Sequence, residues 1–235
     1  MNSSARSIAS TLALASALLA GCATAPSRVD PFEPWNRAMY SVHEVVDGNV
    51  IKPIAQTYVK ATPEPIRTGV SNFFGNIDDL FTGINHVLQG KKDRAGDDFG
   101  RVLLNSTFGI IGIFDLASEM GITKDKTDFG ITFGKWGAPQ GPYLFVPLFG
   151  PTTVRDGTGW LLRLYVGPAG YIPNVPLRNW LYALGYLDTR AQLLSAESVL
   201  DAAALDKYRY LRNAYLRARR YQVYDGKPPP EEEDE

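Results

Sequence analysis

The chain has 235 residues, of which 45% are hydrophobic and 21% charged, with a formal net charge of -1. These values are those of an ordinary globular protein, so they exclude bulk disorder, and the lack of a basic excess argues against a nucleic-acid-binding protein. One cysteine excludes an intramolecular disulfide, and with two histidines it argues against a thiolate or imidazole metal centre. The single cysteine therefore needs an explanation.

The first 21 residues are typical of a secretory signal. Arg6 is their only charge, and the apolar residues 8–20 are fewer than the roughly 20 that a membrane-spanning helix needs. The stretch ends in Leu-Ala-Gly-Cys22, which resembles the lipobox of bacterial lipoproteins. We therefore predict a signal peptide over residues 1–21, lipid attachment (a diacylglyceryl group, with acylation of the new amino terminus) at Cys22 and a tether over residues 22–28. A non-lipidated signal followed by a free cysteine is the alternative.

Acylation at Cys22 predicts stable membrane attachment, because one acyl chain is marginal but two signals suffice. Residue 23 is alanine rather than aspartate, which by the sorting rule of enterobacterial lipoproteins is compatible with export to the outer membrane. The best apolar run after the signal, residues 108–114, is too short to cross a bilayer as a helix. The mature chain is therefore predicted to have no spanning helix, although it can sit in one leaflet.

Four segments of the mature chain have apolar residues at spacings of three and four, which is typical of amphipathic helices. They cover residues 35–46, residues 65–90, residues 93–105 and one long helix from residue 193 to about residue 220. Pro65 stands at the start of the second segment and Gly90 at its end, where these residues suit helix boundaries. The chain is therefore predicted to be mostly α.

The middle of the chain differs, because 18 of the 22 glycines lie between residues 69 and 170 and seven of the 16 prolines between residues 139 and 176. Such frequent breakers disfavour long helices, and short strands or a hairpin are predicted at residues 131–133 and 143–146. Two interpretations stay open. The segment is either a connector with tight turns, or backbone that lies close to lipid with aromatic side chains at the membrane interface.

The carboxyl end divides sharply in charge. Six basic residues and no acid lie between Lys207 and Arg220, whereas residues 231–235 are all acidic. We predict a disordered acidic tail over residues 225–235. The basic stretch either complements a helix dipole or presents a cationic face to anionic lipid or an acidic partner.

No motif for catalysis stands out. The chain has neither a phosphate-binding nor a dinucleotide-binding glycine loop, and neither His43 nor His86 lies near a recognisable nucleophile motif. We therefore predict no cofactor and no metal, and an enzyme is disfavoured.

Polar residues embedded in apolar, glycine-rich sequence are the main candidates for a site, because charges in such surroundings must pair or meet water. They are Arg101, Asn105, Asp115, Arg155 and Asp156. Arg101 and Asn105 are four residues apart and share a helix face. These residues either form structural pairs that hold helices together or line an amphipathic passage for a lipid headgroup.

Several segments, taken in order, resemble the MlaA/VacJ family of outer-membrane lipoproteins. The first is Asp-Pro-Phe-Glu-Pro-Trp-Asn-Arg-Ala-Met-Tyr at residues 30–40, and the others are residues 70–77, 85–90, 101–109, 128–130 and 141–157. Within them the family residues are Asn36, Arg37, Asn72, Asn76 and Asp128. The resemblance covers about residues 29–210. Trp35 stands where many members have phenylalanine, and the acidic tail lies outside it.

The resemblance implies a single ring-like helical domain, here residues 29–224, monotopic in the periplasmic leaflet of the outer membrane. It implies removal of mislocalised phospholipids from the outer leaflet through an amphipathic channel and their transfer to a periplasmic carrier protein. A trimeric porin is an implied partner, and no catalysis or nucleotide cofactor is implied. An envelope-bound phospholipase, with a serine and one of the two histidines, is the alternative, and a scaffold for envelope integrity is a third possibility.

Overall fold

The computed structural model describes residues 30–203 and 205–230, with side chains for residues 30–197 and 205–230. The predicted signal peptide, Cys22, the tether and the acidic residues 231–235 lie outside the described residues. In chain order the helices are α1 (Glu33–Val46), α2 (Lys52–Ala61), α3 (Glu64–Leu88), α4 (Lys92–Thr107), α5 (Leu116–Glu119), α6 (Phe129–Lys135), α7 (Val154–Val166), α8 (Val175–Ala203) and α9 (Lys207–Val223). A π-helical segment, Asp47–Ile51, joins α1 to α2, a 3-10 turn, Pro168–Tyr171, precedes α8, and strands β1 (Tyr143–Val146) and β2 (Gly150–Thr153) lie between α6 and α7.

The mostly helical prediction is confirmed, and the first three predicted helices correspond to α1, α3 and α4. Helices α1 and α3 each have a proline in the first turn, where no amide hydrogen is needed for the helical ladder. After α3 the chain turns at Gly90, whose φ of 75° lies in the left-handed region that glycine adopts without strain. Local periodicity and breakers thus position these helices.

Two predicted elements are wrong. Residues 131–133 are not a strand but lie in α6, because the Asp128 carboxylate accepts a hydrogen bond from the Ile131 amide and caps a helix there. The long carboxyl-terminal helix is two helices, since α8 ends at Ala203 and the Asp206 side chain caps α9 by accepting from the Arg209 amide. Aspartate capping starts a new helix in both places.

The predicted strand at residues 143–146 is confirmed, and its partner is β2. The pair is antiparallel, with Tyr143 opposite Thr153 and Val146 opposite Gly150. Tyr143 and Phe145 face inward and pack against Tyr208 of α9 in a buried aromatic cluster. The hairpin is therefore part of the core rather than a loose connector.

The packing order of the elements closes a circuit in the described chain. Helix α1 packs on β1, β2 packs on α7 and α9, and these two helices pack on α6. Helix α6 contacts α3, α3 contacts α8, and α8 contacts α2, which returns through the π-helical segment to α1. This closed order agrees with the ring-like prediction. Every helix of the described residues is too short or too polar to cross a bilayer.

Candidate functional site

The first polar cluster is centred on Arg101 of α4, whose side chain is completely buried. Its Nε donates to Asp79 of α3 at 3.0 Å, and its Nη2 donates to both Asp115 carboxylate oxygens at 2.9 and 2.8 Å. Its Nη1 donates to the Ser118 hydroxyl at 3.0 Å and to the Ile122 carbonyl at 2.6 Å. One guanidinium therefore joins α3, α4 and α5.

Asn105 and Asp115 complete this Arg101 cluster. The Asn105 side-chain amide donates to Asp115 at 2.9 Å, and its oxygen accepts from the Ala117 amide at 3.0 Å. Burial raises the pKa of Asp115, but hydrogen bonds from Ser118, Asn105 and Arg101 outweigh burial and bring that pKa to about 2. The structure thus brings three of the sequence-derived candidates into one cluster.

The other two candidates form a second cluster at the start of α7. Asp156 is buried and accepts from Arg155 Nε at 3.0 Å, Arg219 Nε at 2.8 Å and the Tyr215 hydroxyl at 2.7 Å. The remaining Arg219 nitrogens donate to both oxygens of Asp128, at 2.6 and 2.8 Å. Arg219 thereby ties α9 to both α6 and α7, a role that sequence reasoning missed because 91 residues separate Asp128 from Arg219.

A third cluster surrounds Asn36 of α1, which is fully buried. Its amide nitrogen donates to Asp30 at 2.8 Å and to the Tyr143 carbonyl at 3.0 Å, while its oxygen accepts from the Phe145 amide at 2.9 Å. Asp30 also pairs with Arg212 of α9 at 3.0 Å. Asn36 therefore clamps the hairpin to α1, and its side chain satisfies backbone groups on the outer edge of β1.

Three of the six basic residues of α9 pair with acids of other elements. Arg209 and Arg212 both pair with Glu33, at 3.7 and 3.2 Å, and Arg219 is engaged as described above. In the opposite direction, the family residue Arg37 of α1 pairs with Asp206, the capping residue of α9, at 2.7 Å. Arg37, Arg209 and Arg212 thus join the two ends of the described chain, whereas Arg219 joins α9 to its middle.

The loop over residues 108–114 presents apolar side chains outward on a strained backbone. Ile110 and Ile111 have φ values of 52° and 56°, in the left-handed region, which costs about 1–3 kcal/mol for each such residue. The exposed fractions of Phe108 and Ile111 are 70% and 67%. The surroundings enforce this shape, because Asn72 donates to the Ile113 carbonyl at 3.0 Å.

Asn76, one helical turn after Asn72 on α3, supports the same loop. Its amide donates to the Ser106 hydroxyl at 2.8 Å, and the Gly112 amide donates to the Asn105 carbonyl at 2.8 Å. Asn72, Asn76 and the Arg101 cluster therefore fix the position of the loop by hydrogen bonds at its base. The loop is a rigid apolar projection with a polar base.

Further aromatic and aliphatic side chains are exposed in the middle of the chain. Of the seven aromatic residues between positions 136 and 171, Tyr143 and Phe145 are buried in the core. The others are exposed, as are neighbouring apolar residues: Trp136, Phe149, Trp160, Leu161, Tyr165, Tyr171 and Trp180. These exposed rings keep open the interpretation that this part of the chain lies at a membrane interface.

The two histidines are engaged in packing contacts. His86 Nδ1 lies 2.6 Å from Asp98 Oδ2, and its Nε2 lies 3.7 Å from Asp125. Burial raises the pKa of Asp98, against the opposing hydrogen bond from His86. His43 Nδ1 accepts a hydrogen bond from the Leu148 amide at 3.2 Å. The His43 ring also lies against the rings of Tyr40 and Phe145, with centroids 6.4 and 5.5 Å away.

Acidification is expected to loosen the hairpin turn through His43. Burial lowers the pKa of His43 below its ordinary 6.5, against the opposing charge of Asp47. Only the neutral ring can accept the Leu148 amide hydrogen at Nδ1. A lowered pKa means that this stabilisation is present above the unfolded-state pKa and is lost as the pH falls through the lower folded-state pKa. Hydrogen exchange at the Leu148 amide, corrected for intrinsic rates, should therefore accelerate between about pH 7.5 and about pH 5.

His43→Gln, which keeps an acceptor without a titratable ring, is the matched variant for this experiment. We expect its Leu148 exchange to lose the pH dependence. Equal pH dependence in His43→Gln and the wild-type chain would contradict the prediction.

Residues 28–222 of the chain match the family model described as MlaA lipoprotein. The chain belongs to the MlaA lipoprotein family. It is 32% identical to the intermembrane phospholipid transport system lipoprotein MlaA of Escherichia coli (strain K12), over 95% of this chain and 91% of that one. It is 31% identical to the protein of the same name from Haemophilus influenzae, over 92% and 90% of the two chains.

A solved structure from work on the structural basis for maintenance of bacterial outer membrane lipid asymmetry has the same fold as this MlaA-family chain. The TM-score is 0.73 at 28% identity, and the match covers 83% of this chain and 100% of that chain. The resemblance to the family is thereby confirmed. The named relatives are transport lipoproteins rather than enzymes.

Proposed function

We propose that this MlaA-family protein is an outer-membrane lipoprotein that removes mislocalised phospholipids from the outer leaflet through an amphipathic channel. It passes them to a periplasmic carrier, so that the asymmetry of the membrane is maintained. The domain over residues 29–224 sits in the periplasmic leaflet beside a trimeric porin, and Cys22 is its lipid anchor. The names of its relatives and the subject of the solved neighbour support this assignment.

The observation that carries the proposal is the loop over residues 108–114. Strain is retained in a backbone only when the surroundings over-determine it, and such strain is concentrated at functional sites. Here Asn72 and Asn76 hold two left-handed isoleucines so that apolar side chains project from a polar base. That combination suits a protein that handles molecules with both apolar tails and a polar head.

The five embedded polar residues act in this proposal as structural pairs rather than as the channel lining. Arg101, Asn105 and Asp156 are buried, and their partners are protein groups. Arg155 and Asp115 complete those pairs. They hold the frame in which a passage opens.

Measurement of phospholipid exposure on the outer leaflet, with and without the gene, tests the function. We expect exposure to rise several-fold on deletion and to return to the original level when the wild-type gene is restored. Unchanged exposure would favour a scaffold role. Release of lyso-phospholipid by the purified protein, abolished in His86→Ala, would favour the phospholipase, for which the His86–Asp98 contact is the only supporting geometry in the described chain.

Replacing Cys22 with alanine is expected to move the protein out of the outer membrane, because the acyl chains supply the stable attachment. The fraction of protein that sediments with outer membranes should fall from nearly all to a small part. Thr24→Ala in the adjacent tether is the matched control and should leave sedimentation unchanged. A Cys22→Ala protein that still sediments fully with outer membranes would contradict the lipid anchor.

A further inference from the structure

A cavity of about 310 Å³ lies between α3 and α8 and plays no part in the clusters described above. Pockets that hold small ligands start at about 300 Å³, so this volume suits a lipid headgroup rather than a whole lipid. Its charged lining residues are Glu64, Arg67 and Asp188, and its aromatic lining residue is Tyr58.

Asp188 of α8 is a buried carboxylate whose described partners are all uncharged, and its exposed fraction is 4%. It accepts from the Ser71 hydroxyl at 3.0 and 2.9 Å, from Gln192 at 2.8 Å and from the Tyr58 hydroxyl at 3.4 Å. No arginine, lysine or histidine of the described residues forms an ion pair with it. A buried carboxylate without a cation is costly, so this wall of the cavity favours a bound positive charge.

Arg67 supplies the opposite charge in the same cavity. Its Nε donates to the Thr62 carbonyl at 3.1 Å, which orients the guanidinium, and the described residues offer its Nη groups no carboxylate. A free guanidinium fork is suited to bind phosphate. Burial and the charge of Asp188 raise the pKa of Tyr58 while Arg67 lowers it, as expected if both charges act on one space.

The apolar loop over residues 108–114 packs against the same helix, α3, that forms one wall of the cavity. Ser71 binds Asp188, and the next residue, Asn72, holds the Ile113 carbonyl. Gly69, one turn earlier on α3, lies so close to the loop that a Cβ atom there would be 3.0 Å from the Ile113 side chain. Helix α3 therefore connects the cavity with the apolar side chains of this loop.

We propose that this cavity, bounded by Asp188 and Arg67, binds the zwitterionic headgroup of a phospholipid that carries a primary ammonium group, such as phosphatidylethanolamine. The inference rests on the proposed function. The ammonium donates to Asp188, with Glu64 at the exposed side, and the phosphate accepts from Arg67. A primary ammonium has three hydrogens to donate, whereas a quaternary ammonium prefers a cage of aromatic rings. The cavity has one aromatic ring, and two carboxylates disfavour an anionic glycerol headgroup.

Binding of short-chain lipids to the purified full chain in detergent tests the inference. We expect dihexanoyl phosphatidylethanolamine to bind at least tenfold more tightly than the phosphatidylcholine and phosphatidylglycerol of the same chain length. Asp188→Asn and Arg67→Gln should each weaken binding of the first lipid about tenfold and remove the preference. Asp78→Asn is the matched control, because Asp78 is an exposed carboxylate on α3 that pairs with Arg163. It should change neither the affinity nor the lipid preference.

The arms of this experiment separate the possible outcomes. Free phosphoethanolamine that binds as tightly as the lipid would place a soluble zwitterion in the site instead and overturn the lipid assignment. Binding of all three lipids with equal affinity would overturn the headgroup preference. Because Asp188→Asn alters a buried group, thermal unfolding is measured alongside binding. Arg67→Gln at a half-buried residue and Glu64→Gln at an exposed one provide binding readouts that do not depend on the core.

The failure of this inference is distinguishable from that of the proposed function. If the variants keep the wild-type lipid preference and still restore low phospholipid exposure in the deletion strain, the headgroup site is wrong and the transport function stands. If the deletion leaves exposure unchanged, the transport function is wrong whatever the binding data show.

Discussion

Replacing Arg101 with methionine is expected to lower the free energy of unfolding by about 3–5 kcal/mol, the range for removal of one partner from a buried ion pair. The reason is that Asp115 would lose its arginine partner, Asp79 would keep only Lys124, and the Ile122 carbonyl would lose its donor. Methionine fills similar volume without charge, so the change isolates the electrostatic loss. Urea unfolding followed by tryptophan fluorescence measures the effect.

Arg94→Met is the matched control on the same helix, because Arg94 pairs with Asp125 at the surface and an exposed pair is worth about 0–1 kcal/mol. The triple variant Arg101→Met, Asp79→Asn, Asp115→Asn should recover most of the loss, since it removes both carboxylates together with the arginine and deprives only the partly exposed Lys124 of its partner. An Arg101→Met protein as stable as Arg94→Met would contradict a structural role for the cluster. That result would make Arg101 a candidate for the channel lining again.

Gly159→Ala is expected to destabilise the protein by about 2–3 kcal/mol through overpacking at the crossing of α6 and α7. A Cβ atom at residue 159 would lie 2.4 Å from the Gly130 nitrogen and 3.0 Å from its Cα. Both are backbone atoms, so the two helices must move apart. That movement would disturb Asp156, whose Oδ1 lies close to Gly130 in the same crossing.

Gly157→Ala in the same helix is the control. Its added Cβ would meet the Thr152 side chain at 3.6 Å, an ordinary contact, so the gain in helix propensity should leave stability unchanged or raise it by up to about 1 kcal/mol. Thermal unfolding of the two variants side by side measures the contrast. Similar melting temperatures for both would show that the crossing is not close-packed.

The candidate site was predictable from sequence only in part. Arg101, Asn105 and Asp115 were found because charges in apolar sequence must be paired, and the four-residue spacing placed two of them on one helix face. Asp188 was missed although it follows an apolar run, residues 180–187, because Thr189 and Arg190 after it are equally compatible with a solvent-exposed helix face. Arg219 was missed for a related reason, because it stands in a run of basic residues that is equally compatible with a solvent-exposed helix face.

Sequence by itself determined the helical class, the extent of α1, α3 and α4, strand β1 and the family, because periodicity, breakers and ordered motifs are local properties of the chain. Tertiary structure alone decided which polar groups meet: Asp30 with Arg212, 182 residues away, or Asp156 with Arg219. It also decided that residues 131–133 are helical and that two isoleucines carry left-handed strain. These outcomes depend on the free energy of contacts between residues far apart in the chain. Such contacts are set by positions in space and produce no periodic pattern in the sequence.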